Sequence, residues 1–326
     1  MSKLVLAVPS KGRLQEQVQE FFADAGIAMH QAAGGRGYRA TLEGLPDIDV
    51  ALLSASDIAS SLLSGDVHMG ITGEDLIREN TPTLDGNIAL VKPLGFGFAD
   101  VVVAVPQGWI DVSSMADLDD VCAAYFQRHR RRLRIATKFV GLTRAFFAKA
   151  GIWDYRIVES LGATEGAPAA GTAEAIVDIT TTGATLAANG LKTLEDGTIL
   201  QSQAQLAASL TAKWDAGARS AAKTLLARIA ARERAKTSLV LRARLKKNPD
   251  AVLSVLAKKA GVSLLSRPAK GNAAGEYSLL CPRGHLMDAI TILRRQGGGG
   301  SVTAQNVDYV FETEDPLVAA FENVVG

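Results

Sequence analysis

The sequence predicts an α/β protein of two similar lobes followed by a smaller α+β module. Three observations carry that reading. The chain opens on a continuous apolar strand that runs straight into an amphipathic helix, the unit of a buried, largely parallel sheet. The same unit returns near residue 134 with an almost identical helix end, FFADAGI at Phe21–Ile27 and FFAKAGI at Phe146–Ile152. The last 90 or so residues then change character, to an order of elements that reads βαββαβ.

The first strand is Leu4 to Val8, broken by Pro9, Ser10, Lys11 and Gly12. A helix starts near Arg13, with Leu14, Val18, Phe21 and Phe22 at helical spacing, and ends at Gly26. GDVHMGITGEDL, Gly65–Leu76, runs from an apolar strand through Ile-Thr into a glycine turn and a helix. Val101–Val105 is strongly strand-like, and Gly95 and Gly97 before it suit a crossing between lobes. In the second lobe, Arg134–Ala136 continues a strand and a helix runs through Thr143–Ala150. AEAIVDITTTGATL, Ala173–Leu186, echoes the earlier strand and glycine turn. Two echoes in the same order point to two lobes facing a cleft at their strand C-termini; similar βα-turn chemistry in unrelated segments is the alternative. After Leu186 the chain is expected to return to the first lobe through Thr198–Gln203. The expected division is therefore 1–95 with 187–206 for lobe one and 96–186 for lobe two.

A linking helix is expected over Ala207–Ala235, rich in Ala, Arg and Lys. The module over 237–326 follows: a strand at Ser238–Ala243, a helix at Pro249–Ala260, strands at Val262–Leu265 and Tyr277–Cys281, a helix at His285–Arg295, a turn at Gly297–Gly300 and a strand at Val302–Phe311. That order is ferredoxin-like, a form often added to enzymes as a sensor. Across 326 residues, 35 basic and 34 acidic side chains leave a net charge of +1, so nothing advertises a nucleic-acid or membrane surface. Two distant cysteines and four scattered histidines give neither a disulfide framework nor a zinc spacing. No signal peptide is read at the start, and no apolar run reaches the ~18 residues that span a bilayer. A cytoplasmic location is the expectation.

The strongest chemical signal is Glu174–Leu186. An apolar strand delivers Asp178; Thr180, Thr181, Thr182, Gly183, Ala184 and Thr185 form the loop, and a helix follows. Loop N–H groups, hydroxyls and a helix start direct donors at an anion, while the acid just upstream can hold sugar hydroxyls. The spacing suits a ribose 5-phosphate; a plain Thr-rich turn with a helix cap is the other reading. The loop is neither a Walker A nor a dinucleotide fingerprint. Glu165 lies in a Gly/Ala/Pro-rich loop that has little to pack, so its carboxylate either meets Asp178 in the cleft or is solvated. Together the two acids would bind Mg²⁺ or support positive charge on a ribose ring. Lys11 and Arg13 sit at a strand-to-helix turn, with Lys138 and Arg144 at the matching place in lobe two. They face two anionic substrates across the cleft, or they are ordinary solvated charges.

PSKGRL at Pro9, GITGEDL at Gly70, RIATKFVGLTRAFF at Arg134, ATEGAP at Ala163 and VDITTTGATLAANGL at Val177 occur in an order that resembles the ATP phosphoribosyltransferase family. The resemblance spans about the first two thirds of the chain. It implies a fold like the type II periplasmic binding proteins, Mg²⁺, the substrates ATP and phosphoribosyl pyrophosphate, and feedback inhibition by histidine. It also implies that Thr180–Thr185 hold the 5-phosphate, that Glu165 and Asp178 contact ribose and metal, and that Lys11 and Arg13 lie near substrate phosphates. The tail resembles the extra domain of long-form members, which are typically hexamers; short forms need a separate regulatory protein. The chain departs from the family pattern at Leu53–Ser54, at His68 and at Phe139–Gly141. Another phosphoribosyltransferase with a different acceptor, or a non-catalytic binding protein on the same fold, would use the same features.

Overall fold

A computed structural model of the chain describes residues 2–31, 38–81, 86–246, 249–268, 275–296 and 300–326. The first lobe contains β1 (Leu4–Pro9), α1 (Gly12–Asp24), β2 (Met29–Gln31), β3 (Arg39–Leu42), β4 (Ile48–Leu53), α2 (Ala55–Ser64), β5 (Met69–Gly73), α3 (Glu74–Asn80) and β6 (Ile88–Pro93). The chain then crosses to a second sheet, with β7 (Asp100–Pro106), α4 (Met115–His129), β8 (Leu133–Thr137), α5 (Val140–Lys149), β9 (Tyr155–Glu159), β10 (Ala175–Thr180), the one-turn α6 (Ala184–Ala188) and β11 (Leu191–Leu200). It comes back as β12 (Ala204–Ser209).

The two sheets share one plan. In the first, the order is β2-β3-β4-β1-β5-β12-β6; in the second it is β11-β7-β10-β8-β9. The first sheet centres on parallel β4, β1 and β5, then takes the antiparallel β12. The second centres on parallel β9, β8 and β10, then takes the antiparallel β7. Each lobe thus has the strand pattern expected of type II periplasmic binding proteins, with one inserted strand beside its third parallel strand. The cores follow from the apolar runs: Ala7, Ile58, Leu62 and Ile77 in the first lobe, and Val103, Leu118, Ile135, Phe147 and Val177 in the second.

Three expectations are corrected. The segment from Leu191 to Leu200 belongs to the second sheet, where it pairs with β7 and buries Leu194, so residues 187–200 do not return to lobe one as expected. The return is β12, held between β5 and β6. The expected helix from Ala207 is therefore a strand as far as Ser209, and the helix α7 starts at Ala216 and runs to Thr237. Its alanines favour helix in isolation, but β12 is buried along its whole length and ladder pairing on both edges decides the outcome.

Two compact units divide the chain, one formed by Met1–Phe21, Ala28–Ala222 and Ala320–Gly326, the other by Phe22–Ile27 and Lys223–Ala319. The linking helix expected over 207–236 is thus shared between them rather than standing apart. Within the second unit lie β13 (Ser238–Leu245), α8 (Pro249–Ala260), β14 (Ser263–Ser266), β15 (Gly275–Pro282), α9 (Leu286–Gln296) and β16 (Thr303–Gln305); α10 (Pro316–Val325) closes the chain. The antiparallel order β14-β15-β13-β16 is the ferredoxin-like arrangement. Its last strand is three residues rather than the expected Val302–Phe311, because only Thr303–Gln305 pair with β13. Of the expected turn at Gly297–Gly300, residues 297–299 lie outside the described residues.

Candidate active site

β10 sits between parallel β8 and antiparallel β7, and its side chains alternate between two cores. Val177 joins the core of α4 and α5, while Ile176 joins Ala167 and Leu186 on the other face. Alternation puts Asp178 on the Ile176 face and Ile179 on the Val177 face. Asp178 is half-buried, and its Oδ1 accepts the Ile179 N–H at 2.8 Å. Burial pushes its carboxyl above the usual range, and the charge of Glu165 pushes the same way; the Ile179 N–H and the Lys138 ammonium oppose the shift. Asp178 is therefore within electrostatic reach of both Glu165 and Lys138, though neither of the two acids expected to share the cleft is among the residues that line it.

Glu165 lies on a single 3₁₀ turn, Thr164–Gly166, entered through Ala163 at a left-handed φ of 51°. The buried Thr164 anchors the turn through its hydroxyl, which donates to Ser160 Oγ at 3.1 Å. The Thr-rich loop turns at Gly183, whose φ of 75° is a conformation that side chains with a Cβ resist. Thr180 Oγ1 accepts the Gly183 N–H at 2.8 Å and Thr182 Oγ1 accepts the Ala184 N–H at 3.4 Å, so hydroxyls shape the loop from within. Thr185 is exposed, and its carbonyl accepts from Asn189. Thr181 Oγ1 donates to the Phe98 carbonyl at 3.1 Å, tying the loop to the crossing between lobes.

A cleft of about 680 Å³ opens between the lobes, lined among others by Arg13, Asp75, Phe98, Lys138, Ile179 and Thr181. Arg13 and Lys138 thus face one space from the two lobes. Lys11 is exposed and outside the lining. Arg144 is also outside it, and its charge acts on the Tyr155 hydroxyl instead. Asp75 and Phe98 were not singled out from the sequence. Asp75 is 5% exposed; Ser202 Oγ donates to its Oδ1 at 2.9 Å, and burial raises its pKa against the pull of Ser202 and Lys138. The available signal for Asp75 was the acidic pair Glu74–Asp75 directly after Gly73, in a motif read only as a repeat.

The three departures from the family pattern have local explanations. Ser54 caps α2, accepting the Asp57 N–H at 3.1 Å and donating to Asp57 Oδ2 at 2.6 Å. His68 Nδ1 accepts the Val5 N–H, and Nε2 donates to the Lys213 carbonyl, each at 3.1 Å. Gly141 lets Glu79 of α3 approach the start of α5: Glu79 Oε1 and Oε2 accept the N–H groups of Gly141 and Leu142 at 2.7 and 3.0 Å, and a Cβ on Gly141 would sit 3.1 Å from the Glu79 carbonyl oxygen. A lobe-one carboxylate therefore occupies that lobe-two helix terminus.

A family model described as HisG, ATP phosphoribosyltransferase, matches residues 54–231. An ATP phosphoribosyltransferase of Bradyrhizobium diazoefficiens is 54% identical over 319 residues, covering 98% of this chain and 97% of its own. This chain belongs to the ATP phosphoribosyltransferase family. A second family member, from Nitrobacter hamburgensis, is 53% identical over the same shares of both chains. Among solved structures, the ATP phosphoribosyl transferase (HisG:HisZ) complex from Thermotoga maritima is 28% identical, covers 63% of this chain and 87% of its own, and aligns with a TM-score of 0.48. Membership in the ATP phosphoribosyltransferase family makes the chain a glycosyltransferase of histidine biosynthesis. Among the described residues no helix is long and apolar enough to cross a membrane.

Proposed function

We propose that the chain transfers the phosphoribosyl group of phosphoribosyl pyrophosphate to ring nitrogen 1 of ATP, releasing pyrophosphate. The observation that carries the proposal is the acid pair Glu165 and Asp178 beside the Thr180–Thr185 loop, with Lys138 lining the cleft within electrostatic range of Asp178. The adenine nitrogen has a free lone pair, so no base is needed to create the nucleophile. The barrier lies in aligning two polyanions and in supporting positive charge on the ribose as pyrophosphate leaves. The loop holds the 5-phosphate, and Asp178 with Glu165 orients the ribose hydroxyls and favours oxocarbenium character. Arg13 and Lys138 offset phosphate charge from opposite lobes; Lys11 acts only at longer range.

The residues fit Mg²⁺. Among the described residues no group of three or more metal-ligating side chains occurs, but Mg²⁺ is commonly held by one or two carboxylates together with substrate phosphates. Burial is the main cause of the raised pKa of Asp178 and the charge of Glu165 adds to it; a cation held by these carboxylates would offset both. Bound Mg²⁺ would neutralise the departing pyrophosphate.

The proposal extends to control and setting: the ferredoxin-like module receives histidine as a feedback inhibitor, the chain assembles as a homo-oligomer, a hexamer by family resemblance, and it works in the cytoplasm. Turnover of the purified full chain with ATP, phosphoribosyl pyrophosphate and Mg²⁺, with and without histidine, tests the core of this. Product suppressed by histidine is expected. Product that forms equally with another acceptor base defeats the ATP assignment, and turnover indifferent to histidine removes the sensor. Light scattering of the same sample reads the assembly.

A further inference from the structure

We propose that Phe98 is the surface on which the acceptor's purine ring stacks; this rests on the transferase reading above. β10 divides the site in two. Asp178, with Glu165 near it, occupies one face of the strand, where the ribose belongs. Ile179 occupies the other face and looks into the cleft.

Two large apolar side chains are exposed there, Ile179 at 37% and Phe98 at 56%. Exposed apolar surface inside a cleft marks a place that a ligand covers. Of the two cleft phenylalanines, Phe96 already packs on Phe21, with ring centroids 6.0 Å apart. Among the described residues no ring packs on Phe98.

The backbone around Phe98 is held from both sides. Thr181 Oγ1 donates to its carbonyl, and the Ala99 N–H donates to the Ser202 carbonyl at 3.0 Å. A ring on so fixed a segment loses little freedom when a ligand covers it.

The chemistry of the two substrates selects the occupant. A ribose and a phosphate have no π face, and their charges are matched by Arg13, Lys138 and the Thr loop. Of all the parts of both substrates, the base alone gains from an aromatic wall beside an aliphatic one. With the base on Phe98 and Ile179 and the ribose beside Asp178, the two must meet beyond the C-terminal end of β10, because ring nitrogen 1 attacks the anomeric carbon directly.

The test uses the full chain. Base–aromatic stacking is worth enough that Phe98→Ala should raise KM for ATP about 10-fold or more. KM for phosphoribosyl pyrophosphate and inhibition by tripolyphosphate, which carries no base, should stay where they are. Phe98→Tyr should restore KM for ATP. An unchanged KM for ATP in Phe98→Ala overturns the proposal; so does an equal loss of tripolyphosphate affinity. Should the parent chain show no turnover, the transferase reading falls, and Phe98→Trp still decides the stacking. Indole emission beyond the parent signal that ATP quenches and tripolyphosphate does not upholds it; emission indifferent to ATP overturns it.

Discussion

Asp178 concentrates several physical effects in one side chain. A strand buried on both faces carries it, burial and to a smaller degree Glu165 raise its pKa, and the Ile179 N–H and Lys138 oppose that shift. Replacing it by Asn preserves shape while removing the charge that the proposed mechanism sets against the developing oxocarbenium. Asp178→Asn should therefore lower kcat by on the order of 10²-fold or more with little change in thermal stability; a normal kcat would remove the role assigned to it. The acid and the Thr loop were legible because an apolar strand ending in a polar, glycine-containing turn is a local pattern. Asp75 and Phe98 were not, because each matters through a partner far along the chain: Ser202 for Asp75, and Thr181 for the backbone of Phe98. Arg144 shows the converse. It was read with Lys138 as a lobe-two counterpart of Arg13, yet one helical turn into α5 its charge acts on Tyr155.

At the scale of single elements, the loop and the strand that feeds it make separate predictions. Gly183 has open space around the position of an added Cβ, so the cost of Gly183→Ala comes from its φ of 75° alone. That substitution should cost roughly 1 kcal/mol and raise KM for phosphoribosyl pyrophosphate as the loop relaxes away from its turn. Steady-state kinetics with KM unchanged would separate the loop from the 5-phosphate. At the other end of β10, Glu174 binds the second lobe together. Its Oε1 accepts from Arg134 at 2.7 Å and from the Tyr125 hydroxyl at 2.8 Å, and its Oε2 accepts the Arg134 backbone N–H at 2.8 Å. Burial pushes its pKa up, but these bonds outweigh it and hold the carboxyl at about 2, against an ordinary 4.5. A carboxyl depressed in the folded state stabilises above its unfolded pKa and loses that contribution as pH falls through the folded value. Glu174→Gln should cost about 1–3 kcal/mol at neutral pH, and the deficit should close between pH 4.5 and about 2, read by denaturant melts across that window. Elements whose pattern is local, such as β1, α1, β8 and β10, were readable within a few residues. β11 and β12 were not: β11 mixes its leucines with charged residues and Gly197, β12 is mostly Ala, Gln and Ser, and pairing with β7, β5 and β6 makes them strands.

The whole molecule has two compact units, each with its own apolar core. In the second, Leu256 is fully buried among Leu241, Tyr277, Leu279 and Leu293. In the first, Ile135 is fully buried among Val103, Phe147 and Val177. Truncating either residue to Ala removes side-chain contacts from one core only, at roughly 2–5 kcal/mol. The ferredoxin-like order βαββαβ was legible because its two helices and central strands alternate at ordinary lengths. The division inside α7 was not, since a continuous helical pattern carries no mark of which core each turn joins. If the cores unfold as separate cooperative units, calorimetry of the full chain departs from two-state behaviour. Leu256→Ala should then lower the transition of the smaller unit by roughly 10 °C or more and leave the other in place, and Ile135→Ala should do the reverse. A single transition that both substitutions lower together would instead mean that the two cores unfold as one cooperative unit.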